Sequence, residues 1–173
     1  MYKALSNIAK KFFSEAQIFK YGFNISPMYR RSTGKVISIT DDLKEVKIKI
    51  PLSYKNKNYV GSIFGGSLFS ATDPIYMIQL LNILGDNYVV WDKSSEIKFK
   101  RPAKTNAYAS FVFSDEEIEV IKQKVADKKE IDIVKTLHIV GENDTVFCEV
   151  SKVIYVADKN YYREKRKLKK QRK

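Results

Sequence analysis

Apolar and polar residues change period several times along this chain, and each change marks an element. Leu5, Ile8, Phe12, Ala16 and Phe19 recur three or four apart, the spacing of one helical face. That predicts an amphipathic N-terminal helix within residues 1–25, docked on the domain and ended by Ser26-Pro27. Val46, Ile48 and Ile50 then alternate with Glu45, Lys47 and Lys49, the period of a half-buried strand. Residues 33–40 precede them across Thr40-Asp41-Asp42, so a hairpin is expected, closed by Pro51. From Gly65 to Leu84 nearly every side is apolar, which predicts a buried central helix, kinked at Asp73-Pro74 or restarted at Pro74, and stopped by Gly85-Asp86-Asn87. Strand-like runs at 88–101 and 105–113 flank Arg101-Pro102. Ser114 with Glu117 fits a capping box, and Ile118, Ile121 and Val125 continue a helical face behind it. Two last alternating runs, 131–140 and 145–157, flank a turn and predict a second hairpin.

Strands joined mainly by hairpins make an antiparallel sheet, and a helix apolar all round must lie against it. The expected architecture is α+β: one domain over residues 1–158, then a basic tail over 159–173. With 173 residues, 11 Tyr and 10 Phe, the chain has material for one real core. No apolar run approaches the ~18 residues of a membrane span, and the N-terminus lacks a secretion signal's apolar stretch. A cytoplasmic protein is therefore expected.

Charge changes the picture only when divided. The formal net is +12, but residues 159–173 hold nine bases against Glu164 alone. The remaining chain carries 23 bases and 19 acids. The basicity is mostly a tail, expected to be mobile, dispensable for the fold, and able at most to tether weakly to RNA or anionic lipid. One histidine, His138, and one cysteine, Cys148, leave no metal site of His or Cys type. Both are expected to be ordinary strand residues.

The densest chemistry runs from Asn58 through Gly61, Phe64, Gly65, Gly66 and Ser67 to Asp73. Two glycines at a helix start let a ligand approach first-turn N–H groups that have no intrahelical acceptor. Asp73 lies inside the most apolar segment, and its side chain has two open readings. One is an N-cap ahead of Pro74; the other is a catalytic carboxylate. Lys98, Lys100 and Arg101 form either a solvated strand face or a seat for phosphates.

Asn58, Gly61, Gly65, Gly66 and Asp73 stand at the spacings of the hotdog-fold acyl-CoA thioesterases, in the branch that includes phenylacetyl-CoA thioesterases. Ile97 to Pro102 is similar to that family's strand ending in Arg-Pro. Phe64 replaces the histidine of the family's His-Gly-Gly, as in an uncharacterised hotdog family that the sequence resembles more closely. The resemblance implies a sheet wrapped around a long central helix, a homodimer or dimer of dimers, and hydrolysis of an acyl-CoA to acid and coenzyme A. It further implies that Gly65 and Gly66 hold the thioester oxygen while Asp73 acts as base or nucleophile and Asn58 positions water or substrate. Phe64, Ser67, Lys100 and Arg101 would contact the substrate. Beyond coenzyme A within the substrate, no cofactor or metal is expected. A non-catalytic acyl-CoA- or lipid-binding protein is the alternative, favoured by Phe64 and Pro74. Eight positions, or ~12 Å of continuous helix, separate Gly65 from Asp73, so one chain is not expected to supply both to one carbonyl.

Overall fold

The computed structural model describes residues 12–171. Helix α1 (Glu15–Ile25) starts at a capping box: the Ser14 hydroxyl accepts from the Gln17 N–H, and the Gln17 side chain accepts from the Ser14 N–H. It buries Ala16, Phe19 and Phe23. Phe12 was expected on this face, but the Ser14 cap excludes it from the helix and leaves it 77% exposed. Leu5 and Ile8 lie outside the described residues. A short helix α2 (Pro27–Arg31) leads into the expected hairpin of β1 (Lys35–Ile39) and β2 (Glu45–Ile50), whose Val46, Ile48 and Ile50 are fully buried.

Of the two expected outcomes at Pro74 the central apolar run takes the restart, and in place of one long helix it forms two: α3 (Gly65–Ser70) and α4 (Ile75–Leu84). Proline has no N–H and disfavours helical geometry at the residue before it, so Asp73-Pro74 interrupts the ladder. The Asp73-Pro74 peptide is cis. The buried Tyr29 hydroxyl donates to the Ala71 carbonyl at 2.9 Å, tying α2 to this break. Helix α4 stacks Tyr76 edge-on against Phe111 and Phe113 and ends at Gly85, whose φ of 80° suits glycine.

The remaining elements are β3 (Tyr88–Phe99), β4 (Ala107–Val112), helix α5 (Asp115–Lys128), β5 (Glu130–Val140), β6 (Val146–Asp158) and helix α6 (Lys159–Gln171). All six strands join one antiparallel sheet in the order β1-β2-β4-β5-β6-β3. Ser114 and Glu117 make the expected capping box of α5, which buries Ile118, Ile121 and Val125. Successive strands β3 and β4 do not pair. The twelve-residue β3 crosses to the far edge beside β6, with a bulge between Asp92 and Ser94. The basic segment continues as α6, with Lys165 on Glu130 at 2.5 Å and no buried residue.

Candidate active site

Strand β6 sends Cys148, Val150, Lys152, Ile154 and Val156 to one face, and all five are fully buried. Four are apolar; the fifth is an ammonium. A buried lysine charge is costly unless paired. Lys152 Nζ accordingly donates to Asp73 Oδ1 and to Asp92 Oδ2, each at 3.0 Å. Asp73 comes from the break between α3 and α4, and Asp92 from β3 at its bulge. The Asp73 side chain is 58% exposed and that of Asp92 only 18%, so the pair grades from solvent into the core.

Burial pushes the Asp73 carboxyl up, but hydrogen bonds with Lys152 and Asp92 and the ammonium charge together hold it below the usual carboxylate value. Asp92 moves the other way. Burial and the Asp73 hydrogen bond outweigh Lys152 and keep its carboxyl above the usual value. Both acids open onto a cleft of about 520 Å³, which Phe69, Ser70, Lys93, Ser94 and Ser95 also line. An ionised carboxylate here can orient water or attack an electrophilic carbon, with hydroxyls and an apolar ring beside it.

The N-cap reading of Asp73 is overturned. Pro74 stands at the N-cap of α4 with no side-chain hydrogen bond there, and the Asp73 carboxylate turns to Lys152 instead. Asn58 is committed to its own loop: Oδ1 accepts from the Val60 and Ser62 N–H groups, and Nδ2 donates to Ser62 Oγ. The Gly65 and Gly66 amides precede the first helical acceptors of α3 and have no protein acceptor among the described residues. A β-carbon at Gly65 would lie 2.8 Å from the Phe99 ring, and one at Gly66 2.3 Å from the Phe64 ring. Both glycines thus make room for aromatic side chains. Phe99 is seven residues beyond Asp92 on β3, so Gly65, packed on Phe99, and Asp73, joined to Asp92 through Lys152, meet different stretches of that strand.

Phe64 is 58% exposed, and Ser67 is buried in the first turn of α3. Lys100 approaches Glu149 at 3.9 Å, and Arg101 donates to the Val146 carbonyl at 3.3 Å, both past the Phe99 end of β3. None of Asn58, Phe64, Gly65, Gly66, Ser67, Lys100 or Arg101 lines the Asp73 cleft. His138 is an exposed β5 residue 3.5 Å from Glu149, and burial pushes the Cys148 thiol up to about 11. Among the described residues no group of His, Cys, Asp and Glu is arranged to hold a metal ion, and no helix is long and apolar enough to cross a membrane.

No curated protein matches the sequence. Among solved structures, the chain superposes on the Pseudomonas aeruginosa protein PA5026, of unknown function and named a probable thioesterase. The TM-score is 0.73 at 17% identity, over 82% of this chain and 95% of that one. OLEI01261 from Chlorobaculum tepidum, also of unknown function, aligns with TM-score 0.66 at 15% identity, over 83% and 94%. The Haemophilus influenzae thioesterase HI1161 aligns with TM-score 0.61 at 11% identity, over 83% and 90%. At such identities the likeness is one of fold, and it bears out the hotdog expectation. Residues 15–156 match the family described as a domain of unknown function, DUF4442. With that match covering most of its length, the chain belongs to the DUF4442 family, here built as a hotdog sheet around a helix broken at its candidate catalytic aspartate.

Proposed function

We propose that the protein hydrolyses the thioester of an acyl-CoA to the free acid and coenzyme A. One observation carries this reading: Asp73 is held ionised by a buried ammonium at the mouth of a cleft, on a fold it shares with proteins named as thioesterases. Asp73 acts on water or on the carbonyl carbon. The Gly65 and Gly66 amides receive the developing oxyanion, and Lys100 and Arg101 hold the nucleotide phosphates. Asn58 and Ser67 shape the loop and helix start that present those amides. Phe64 supplies an apolar wall where the resembling enzymes carry histidine. The chemistry needs no metal or redox cofactor.

The amides and the acid come from two copies of the chain. Among the described residues strand β3 has β6 on one side only, and its other edge is long and carries exposed Trp91 and Phe99. Such an edge is a ready template for another strand. Antiparallel pairing of two β3 strands, centred between Ser95 and Glu96, would set Phe99 of one copy, with its Gly65, against Asp92 of the other. That supports a homodimer with two composite sites.

The test is release of CoA thiol from a panel of acetyl-, octanoyl-, palmitoyl- and phenylacetyl-CoA, with Asp73→Asn beside the wild type. Turnover by the wild type and a drop of about 10²-fold or more in the variant are expected. A specific observation favours a second reading, acyl-CoA binding without hydrolysis: the Asp73 carboxylate is already engaged by Lys152. Binding of the esters with no thiol release from any of them would select it.

A further inference from the structure

We propose that Asp92 is the second catalytic carboxyl of this site, sharing one proton with Asp73 beside the Lys152 ammonium and giving it to the departing thiolate. This rests on the hydrolase reading and extends it. The geometry begins with two carboxylates bonded at 3.0 Å to one buried Nζ. A single buried ammonium neutralises one of them. A second ionised carboxylate, on a side chain only 18% exposed, would add an uncompensated negative charge beside the first.

A second observation comes from the other oxygen. Asp92 Oδ1 is buried and meets no donor among the described residues. A buried acceptor left alone is costly, and a proton shared between the neighbouring Asp73 and Asp92 carboxyls lowers that cost. The opposed directions of the two carboxyls, Asp73 down and Asp92 up, are those of a pair that holds one proton between them. The charged groups bearing on Asp92 are Asp73 from the α3–α4 break and Lys152 from β6. Lys93, next along β3, is engaged by Asp132 of β5.

The steps balance. Water oxygen bonds to the thioester carbon as one of its protons passes to Asp73. The C–S bond then breaks, its electron pair leaves on sulfur, and the thiolate takes the proton held by Asp92. The product acid keeps the other water hydrogen. The new proton on Asp73 crosses to Asp92, and the pair is reset. Lys152 is a positioning residue, holding both carboxylates without touching substrate.

The test uses the full chain with its aspartate carboxyl carbons followed by NMR across pH, in the wild type, Asp73→Asn and Asp92→Asn. Each variant leaves Lys152 one anionic partner, so the fold is retained. Asp92 is expected to titrate above the usual aspartate range in the wild type and to fall back towards it in Asp73→Asn. Asp92 titrating as an ordinary aspartate in the wild type, or unmoved in Asp73→Asn, overturns the shared proton. With the acyl-CoA panel, Asp92→Asn should lower kcat by about 10²-fold and abolish the alkaline limb of the pH–rate profile. An unchanged kcat or an unchanged alkaline limb overturns the delivery step. Wild-type protein that cleaves no ester defeats the hydrolase reading and the delivery step together, while the NMR titration still decides the shared proton by itself.

Discussion

Lys152 is the residue on which the site turns. Lys152→Ala would leave the two acid side chains facing each other across a void without their ammonium, at a cost of about 3 kcal/mol near neutral pH. Urea unfolding checks this, and the deficit should shrink as pH falls and the carboxyls protonate. The signs follow from the two shifts. Asp73, depressed by its partners, contributes stability above its unfolded value and loses it as pH falls through its folded value. Asp92, raised, contributes below its unfolded value and loses that as pH climbs through its folded one. Asp73 was legible in the sequence as an acid in an apolar run. Its partners were readable only in part. Lys152 interrupts the row Val150, Ile154 and Val156, and an odd lysine on a core face is a signal that alternation can find. Asp92 carries no such mark, because the bulge after it breaks the parity of β3.

Among elements, the strands and α5 could be read from period alone, since Val46, Ile48, Ile50, Ile118, Ile121 and Val125 all went inward as their spacing requires. The long apolar run was harder. Hydrophobicity on every side says that a segment is buried without saying that it is continuous, and Pro74 divides it. Period also says nothing of which strands become neighbours; β3 and β4 adjoin in the chain and lie apart in the sheet. The break is packed tightly from behind. A β-carbon at Gly34 would come within 2.9 Å of Tyr29 Oη and 3.0 Å of Ala71 Cβ. Gly34→Ala should therefore cost about 1–3 kcal/mol by thermal or chemical unfolding, as overpacking does. It should also weaken turnover, because Ala71 stands two residues from Asp73.

At the scale of the whole molecule, the division of charge seen in the sequence is also a division of contacts. Helix α6 is held by Lys165 on Glu130, by Tyr162 against Tyr155 and by the Lys159 N–H on the Asn87 carbonyl, and it buries no residue of its own. Truncation after Asp158 should lower the melting temperature by no more than a few degrees, leave thioester turnover within about twofold, and abolish retention on heparin at low salt. A collapse of the fold would show that these few contacts carry more of the domain than their exposure implies.

The outermost strand of the sheet also bears one of the two acids. A group placed there has protein on one side and whatever comes next on the other. If a second copy comes next, closing the sheet and completing the chemistry are the same event. Activity per chain would then fall on dilution, and a variant that spoils only the rim of the sheet would behave as a catalytic mutant. Two chains, each crippled at a different half of the site, would restore one working site when mixed.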